Sequence, residues 1–167
     1  MLSKLICQRV ALAAIGASIL LAPIAVNACE LVLSEHRSGR EVLHWPIQQR
    51  PIQFSVSFVH SVLGTPVSDV YEARFVDGQW KTYLIQETHR GQGYGLPYSA
   101  TSPGETYVHT ENGWQLTMNR LVYPLVQLPL PSQRITLHSE GRRVLFGDLS
   151  PRSILVEVRD CELSQSQ

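Results

Sequence analysis

The chain has no excess of charge of either sign: 14 basic and 14 acidic residues balance over 167 positions. Without a positive field there is no counterion-release term to drive binding to a phosphate backbone, which argues against a nucleic-acid partner. Motifs that announce common chemistries are missing too. There is no Gly-x-Ser-x-Gly elbow, no His-Glu-x-x-His helix and no Cys-x-x-Cys pair, so the usual sequence forms of a serine hydrolase, a zinc protease and a dithiol site are excluded. No stretch beyond residue 28 repeats its apolar residues with a helical period, which argues against a helical bundle. Charged residues make up 17% and apolar ones 44%, too hydrophobic a mixture for a disordered chain. The length is too short for two full domains.

What is present starts with an apolar segment. Lys4 and Arg9 precede a run from Val10 to Val26 that is broken only by Gly16, Ser18 and Pro23, and small residues follow at Ala25 and Ala28. A basic start, an apolar middle and a small-residue exit is the order of a secretory signal, and the run is short for a membrane-spanning helix. Residues 1–28 are therefore read as a signal peptide cleaved after Ala28, residues 29–163 as one domain, and residues 164–167 as a polar, mobile tail. Removing Lys4 and Arg9 leaves 12 basic against 14 acidic groups, a net charge of −2. Cys7 leaves with the signal, so Cys29 and Cys161 remain. An even pair in an oxidising compartment reads as a disulfide joining the first mature residue to the end of the last strand. Val26-Asn27-Ala28-Cys29 also resembles a lipobox in part, and an acylated Cys29 would anchor the protein to a membrane. The two fates exclude each other, because acylation consumes the thiol.

The rest of the chain reads as strands. Ile52, Phe54, Val56 and Phe58 alternate with Gln53, Ser55 and Ser57, and His60 continues the apolar parity; a period of two is that of a half-buried strand. Tyr71, Ala73 and Phe75 oppose Glu72 and Arg74, Asp77-Gly78 marks a tight turn, and Gln79–Glu87 forms a third run. Further strands are expected at Cys29–Ser34, Glu41–Trp45, Thr106–His109, Gly113–Asn119, Arg134–His138, Arg142–Phe146 and Ser153–Arg159, with turn signals at Glu111-Asn112-Gly113 and Glu140-Gly141. Leu121–Pro131 is apolar but carries Pro124, Pro129 and Pro131, which assigns it to a sheet edge or a connector. The expected fold is all-β, an antiparallel sandwich or a partly closed barrel of short strands.

A meander brings the end of its first strand, the start of its second and the end of its third to one sheet edge. His60, Asp69 and Glu87 are therefore expected to gather there. Parity puts His60 and Asp69 on one face, where a buried imidazole beside a carboxylate is driven toward its charged form. Glu87 depends on the turn: a two-residue turn pairs Asp69 with Gln86 and sends Glu87 to the opposite face, whereas a three-residue turn brings Glu87 onto Asp69's face. Both remain open at this point. Gly91, Gly93 and Gly95 then begin a long loop to Gly104 that starts at the same edge and is expected to cover it. No helix follows, so this is not a dinucleotide fingerprint. His60 and Ser61 are adjacent, point to opposite faces of a strand, and do not make a nucleophile–base pair. The six histidines, His36, His44, His60, His89, His109 and His138, show no tight ligand spacing, and no metal or cofactor is assigned. A structural role, with His60 bonded to Asp69 as a loop clamp, stands beside the binding role.

The run Phe58-Val59-His60-Ser61-Val62, then Thr65-Pro66-Val67, then Asp69 and Tyr71, resembles the hallmark of the DUF1850 family, a set of small exported bacterial proteins. Gly93-Tyr94-Gly95-Leu96-Pro97 resembles the family's later Gly-x-Gly-Leu-Pro signature. Asp69 stands where the family pattern has Glu, and Leu63 where a polar or acidic residue is commoner. The resemblance implies a periplasmic accessory of organic-anion uptake, made alongside fused permeases of tripartite ATP-independent periplasmic (TRAP) transporters of the TAXI type. It brings no catalytic residue with it. The expected function is a non-enzymatic domain that assists such a transporter by binding a small organic anion, the TRAP permease or its solute-binding protein. The residues expected to do so are His60, Ser61, Thr65, Pro66, Asp69, Glu87, Gly93, Gly95 and Pro97. Two readings compete with it: a small periplasmic hydrolase or metal-binding protein using His60 with Asp69 or Glu87, and a lipoprotein with a purely structural role.

Overall fold

Alternating side chains and two-residue turns build the chain into antiparallel ribbons. The computed structural model describes residues 29–159 and Cys161; the signal segment read in residues 1–28 and the tail at 164–167 lie outside the described residues. The strands are β1 (Cys29–Glu35), β2 (Glu41–Ile47), β3 (Ile52–Val59), β4 (Pro66–Val76), β5 (Gln79–His89), β6 (Thr106–Thr110), β7 (Gly113–Leu121), β8 (Leu125–Gln127), β9 (Thr136–Ser139), β10 (Arg142–Leu145) and β11 (Ile154–Arg159), with a single helical turn, α1 (Phe146–Leu149), before the last. They form a four-stranded sheet in the order β2-β1-β11-β8 and a seven-stranded sheet in the order β10-β9-β3-β4-β5-β7-β6. Neither closes on itself, so of the two all-β architectures expected the fold is the sandwich. The proline-rich stretch supplies β8, a three-residue edge strand whose flanking prolines, Pro124 and Pro129, lie outside the ladder.

The core lies between the small sheet and one half of the large one. Ile52, Phe54 and Val56 of β3, Tyr71 and Ala73 of β4 and Leu137 of β9 cluster with Leu31, Leu33, Ile47, Ile154 and Val156 of the small sheet, and Phe146 of α1 completes the cluster. None of its members comes from β6 or β7. The large sheet therefore overhangs the small one, and the inner face of its β5-β7-β6 half needs a different cover.

Two polar devices tie the small sheet together. Glu35 is buried and accepts hydrogen bonds from Ser38 and Arg40 of the β1–β2 turn and from Ser150 and Arg152 ahead of β11. The Arg40 contact leads in holding its carboxyl well below the usual carboxylate range. Cys29, fully buried at the start of β1, is disulfide-bonded to Cys161 beyond β11, across a sequence separation of 132 residues. This bond uses the Cys29 thiol that acylation would need. In the chain-entropy account a loop of that length is worth at most about 5 kcal/mol, with typical measured values of roughly 2–4 kcal/mol. Cys161→Ser is accordingly expected to lower unfolding stability in urea by about 2–4 kcal/mol, and reductant to do the same to the native protein. Identical urea midpoints with and without reductant would show that the bridge does not form.

Candidate functional site beneath the glycine loop

The site is created by a change of register. Asp77 and Gly78 close the β4–β5 hairpin as a two-residue turn, with φ of 53° and 75° and Val76 paired to Gln79; two left-handed residues match the twist of the flanking strands. On that count Asp69 should oppose Gln86. Instead Tyr71 pairs with Leu84 and Val70 with Gln86, leaving Ile85 as an extra residue. This bulge shifts the rest of β5 by one position, so Asp69 pairs with Glu87 and Val67 with His89. Residues directly opposed in a ladder share a face, and Asp69, Glu87 and His89 therefore lie on the inner face with Val56, Val67 and Tyr71. Glu87 joins Asp69 as a three-residue turn would have placed it, but through a two-residue turn followed by a bulge.

These groups are buried with few partners. Asp69 is 9% exposed and His89 1%. The Tyr71 hydroxyl donates to Asp69 Oδ2 at 3.1 Å. His89 donates from Nδ1 to the Gly91 carbonyl at 3.0 Å. Asp69 Oδ1, Glu87 Oε1 and His89 Nε2 have no hydrogen-bond partner. Burial, reinforced by the charge of Glu87 and opposed by the Tyr71 hydrogen bond, pushes the Asp69 carboxyl up to about 7. Burial also raises Glu87, against the pull of His89 and Arg120. Aromatic rings wall the site on the β6–β7 side: Tyr107 stacks on Trp114 at 5.1 Å between centroids, and His89 lies 6.2 Å from Tyr107. Among the described residues no group of three His, Cys, Asp or Glu side chains comes together closely enough to hold a metal ion.

The cover is the loop of residues 90–105. It is pinned by side chains of the inner face: His89 to the Gly91 carbonyl, Tyr107 Oη to the Pro97 carbonyl at 3.0 Å, and Arg120 to Glu105 and Thr101. Its rim is pinned by the β3–β4 turn. His60 Nδ1 accepts the N–H groups of Val62 and Leu63 at 3.2 Å each, and its Nε2–H donates to the Tyr94 carbonyl at 3.2 Å. Thr65 Oγ1 donates to the Arg90 carbonyl at 2.6 Å. Both ring nitrogens of His60 are thus engaged by backbone groups, and it hydrogen-bonds to neither carboxylate. The expected gathering at the rim therefore divides in two. His60, Thr65 and the glycine loop come together at the edge, while Asp69 and Glu87 pair with each other further along the strands. Ser61 and Pro66 are exposed at the turn. Gly93 is buried with φ of 93°, a left-handed conformation that favours glycine, and a Cβ there would press on the Tyr98 hydroxyl at 2.9 Å. Gly95, with φ of 96°, faces open space.

His89 and Tyr71 were not among the expected site residues. His89 stands beyond the expected end of the strand at Glu87, and only the bulge turns it inward. On the outer face a further pair was missed: Ser57 Oγ lies 2.7 Å from His138 Nε2. His138 is held below its ordinary value by burial and by Arg143, which suits it as an acceptor of the Ser57 proton. The pair lies where β3 and β9 are joined in register, with Arg143 beside it.

Among known families, residues 54–146 match the domain of unknown function DUF1850, a span of more than half the chain that contains the turn, the acid pair, His89 and the glycine loop. No curated protein and no solved structure matches.

Asp69 yields a test of this geometry. Its folded value lies above its ordinary one of 3.8, so the stability it contributes is complete below about that value and is lost as pH rises through about 7. Asn at position 69 removes the titration and keeps an acceptor for Tyr71. The stability of Asp69→Asn relative to the native protein is expected to improve between pH 4 and pH 8 by an amount on the order of a few kcal/mol. A difference that is flat across this range would mean Asp69 is solvated.

Proposed function

The chain belongs to the DUF1850 family, and we propose that it is an exported, non-enzymatic accessory domain that docks onto a transporter of the TAXI-type TRAP class through the tip formed by the β3–β4 turn and the glycine loop. The observation that carries this reading is Tyr94. Its backbone stands in the left-handed region at φ 55°, a conformation that costs a bulky residue energy and persists only where its surroundings enforce it. His60 supplies that enforcement by bonding the Tyr94 carbonyl. The result is a tyrosine ring 72% exposed, with Tyr98 at 64% and Val62 at 61% on the same pair of loops. Tyrosines set on a rigid backbone give large contact area at small entropic cost, the pattern of interface anchors. The family resemblance of the sequence supplies the class of partner, the permease or its solute-binding protein, and the signal-like segment at residues 1–28 supports a periplasmic location.

In this reading His60 and Thr65 are positioning residues, Ser61, Pro66, Gly95 and Pro97 shape the tip, and Tyr94 makes the contact. Tyr94→Gly keeps the left-handed backbone and the carbonyl that His60 holds, and removes only the ring. It is expected to melt like the native protein while solute uptake, and capture of the transporter by the tagged domain, fall at least about tenfold, the loss of a single anchor worth more than 1.4 kcal/mol. His60→Ala should give the same loss by releasing the loop. Native uptake and capture in a folded Tyr94→Gly protein would remove the docking tip from consideration.

A further inference from the structure

We propose that Asp69, Glu87 and His89 form a buried binding site for a primary ammonium group, roofed by the loop from Gly91 to Pro97. Five buried side-chain atoms lack a hydrogen-bond partner among the described residues, and three of them are Asp69 Oδ1, Glu87 Oε1 and His89 Nε2, neighbours in register on one face. Buried polar atoms are as a rule paired, so three adjacent open ones mark a place for a group from outside the chain.

The missing group has a definite chemistry. A backbone carbonyl can only accept, so His89 donates to the Gly91 carbonyl from Nδ1, and in the neutral ring of that tautomer Nε2 is an acceptor. The two carboxylate oxygens, once ionised, also accept. Two carboxylate oxygens and this ring nitrogen therefore stand at neighbouring register positions on one face. The nearby cations are engaged elsewhere: Arg120 bonds Glu105 and Thr101, and Arg90 bonds the Asn112 carbonyl. A primary ammonium supplies three N–H donors and one positive charge, which is the complement of this set. A metal ion does not fit, because the side chains do not converge closely enough to hold one. N–H donors reach acceptors at about 2.7–3.2 Å, against roughly 2.0–2.2 Å for zinc and its nitrogen or oxygen ligands, so an ammonium spans a wider triangle.

The groups on this face are Asp69 and Tyr71 from β4, Glu87 and His89 from β5, Tyr107 and His109 from β6 and Arg120 from β7; β3 brings only Val56 and Phe58. Protonation of Asp69 removes an acceptor and a charge together, so binding is stronger at pH 8 than at pH 5.5. The inference names a ligand class for the acids beneath the docking tip and does not require the transporter. A small free amine and the lysine of a partner share this chemistry. Methylammonium represents the first source and Nα-acetyllysine amide the second.

The test is thermal melting of the exported protein at pH 8 and constant ionic strength, with chloride salts of sodium, methylammonium, tetramethylammonium, Nα-acetyllysine amide and zinc. Methylammonium is expected to raise the melting temperature by about 3 °C or more at saturation. Tetramethylammonium, which has no N–H, should act like sodium, and the rise should vanish in Asp69→Asn/Glu87→Gln. A rise with acetyllysine amide as well would assign the site to a partner's lysine, and its absence would assign it to a free amine. Equal responses to both ammonium ions, a rise retained in the double variant, no rise at all, or stabilisation by zinc alone would each overturn the proposal. Should the double variant fail to fold, the ¹⁵N shift of His89 Nε2 decides: it moves upfield on methylammonium binding if Nε2 accepts the new bond, and an unchanged shift overturns the proposal. Tyr94→Gly should keep the amine response, so failure of the docking tip and failure of this site are distinguishable.

Discussion

One extra residue on β5 determines which side chains the large sheet hides. Before Ile85 the inward positions are those of Trp80, Thr82 and Leu84; after it they are Glu87 and His89. A ladder without the bulge would turn Gln86 and Thr88 inward and leave both titratable groups in water, because a slip of one residue exchanges the two faces of a strand. The bulged register is the more costly one. It buries two carboxylates side by side, with Asp69 pushed up to about 7, and leaves three polar atoms open. A hairpin shaped only for stability gains nothing from this arrangement. Local departures from regular pairing that raise the folded state's free energy are found where a site has to be built.

The placement of that site follows from the overhang. The apolar cluster between the sheets stops at β5 and takes no member from β6 or β7, so the inner face beyond β5 has no facing sheet. The loop of residues 90–105 replaces it, and the replacement is made with directional bonds: His89 to Gly91, Tyr107 to Pro97, Arg120 to Glu105 and Thr101, His60 to Tyr94, Thr65 to Arg90. Each such bond contributes a net of about 0.5–1.5 kcal/mol. A cover held by a handful of them opens locally at a smaller cost than the core, whose members are lost only together. Access to a buried polar site through this roof therefore does not require the sandwich to unfold.

Most of the strands, the positions of the tight turns, the proline-flanked edge and the pairing of Cys29 with Cys161 were legible because each rests on local chemistry: alternation, turn residues, a missing N–H, an even cysteine count. The bulge was not legible. Tyr83, Leu84 and Ile85 are three consecutive apolar residues, so the phase of the alternation could change among them without a trace. His60 was misplaced for a related reason. Its parity continues that of Phe58, but β3 ends at Val59, and the turn beyond has N–H groups at Val62 and Leu63 that need an acceptor. The imidazole supplies it, and with its second nitrogen it reaches the loop. A strand pattern carries no information about the unpaired backbone groups of the turn that follows, and those groups claimed the ring.

The tip and the buried site share one short piece of backbone. His89 holds Gly91 from beneath and His60 holds Tyr94 from the rim, and between them the chain stands at positive φ at Gly91, Gly93, Tyr94 and Gly95. Glycine is permissive at such angles, so the segment between the two anchors can adjust while each histidine keeps its own bond. A ligand of the proposed class would meet His89 directly, and the Tyr94 ring only through this backbone. The bulge at Ile85, by bringing Glu87 and His89 inward, sets the buried acids at the root of the loop that displays Tyr94.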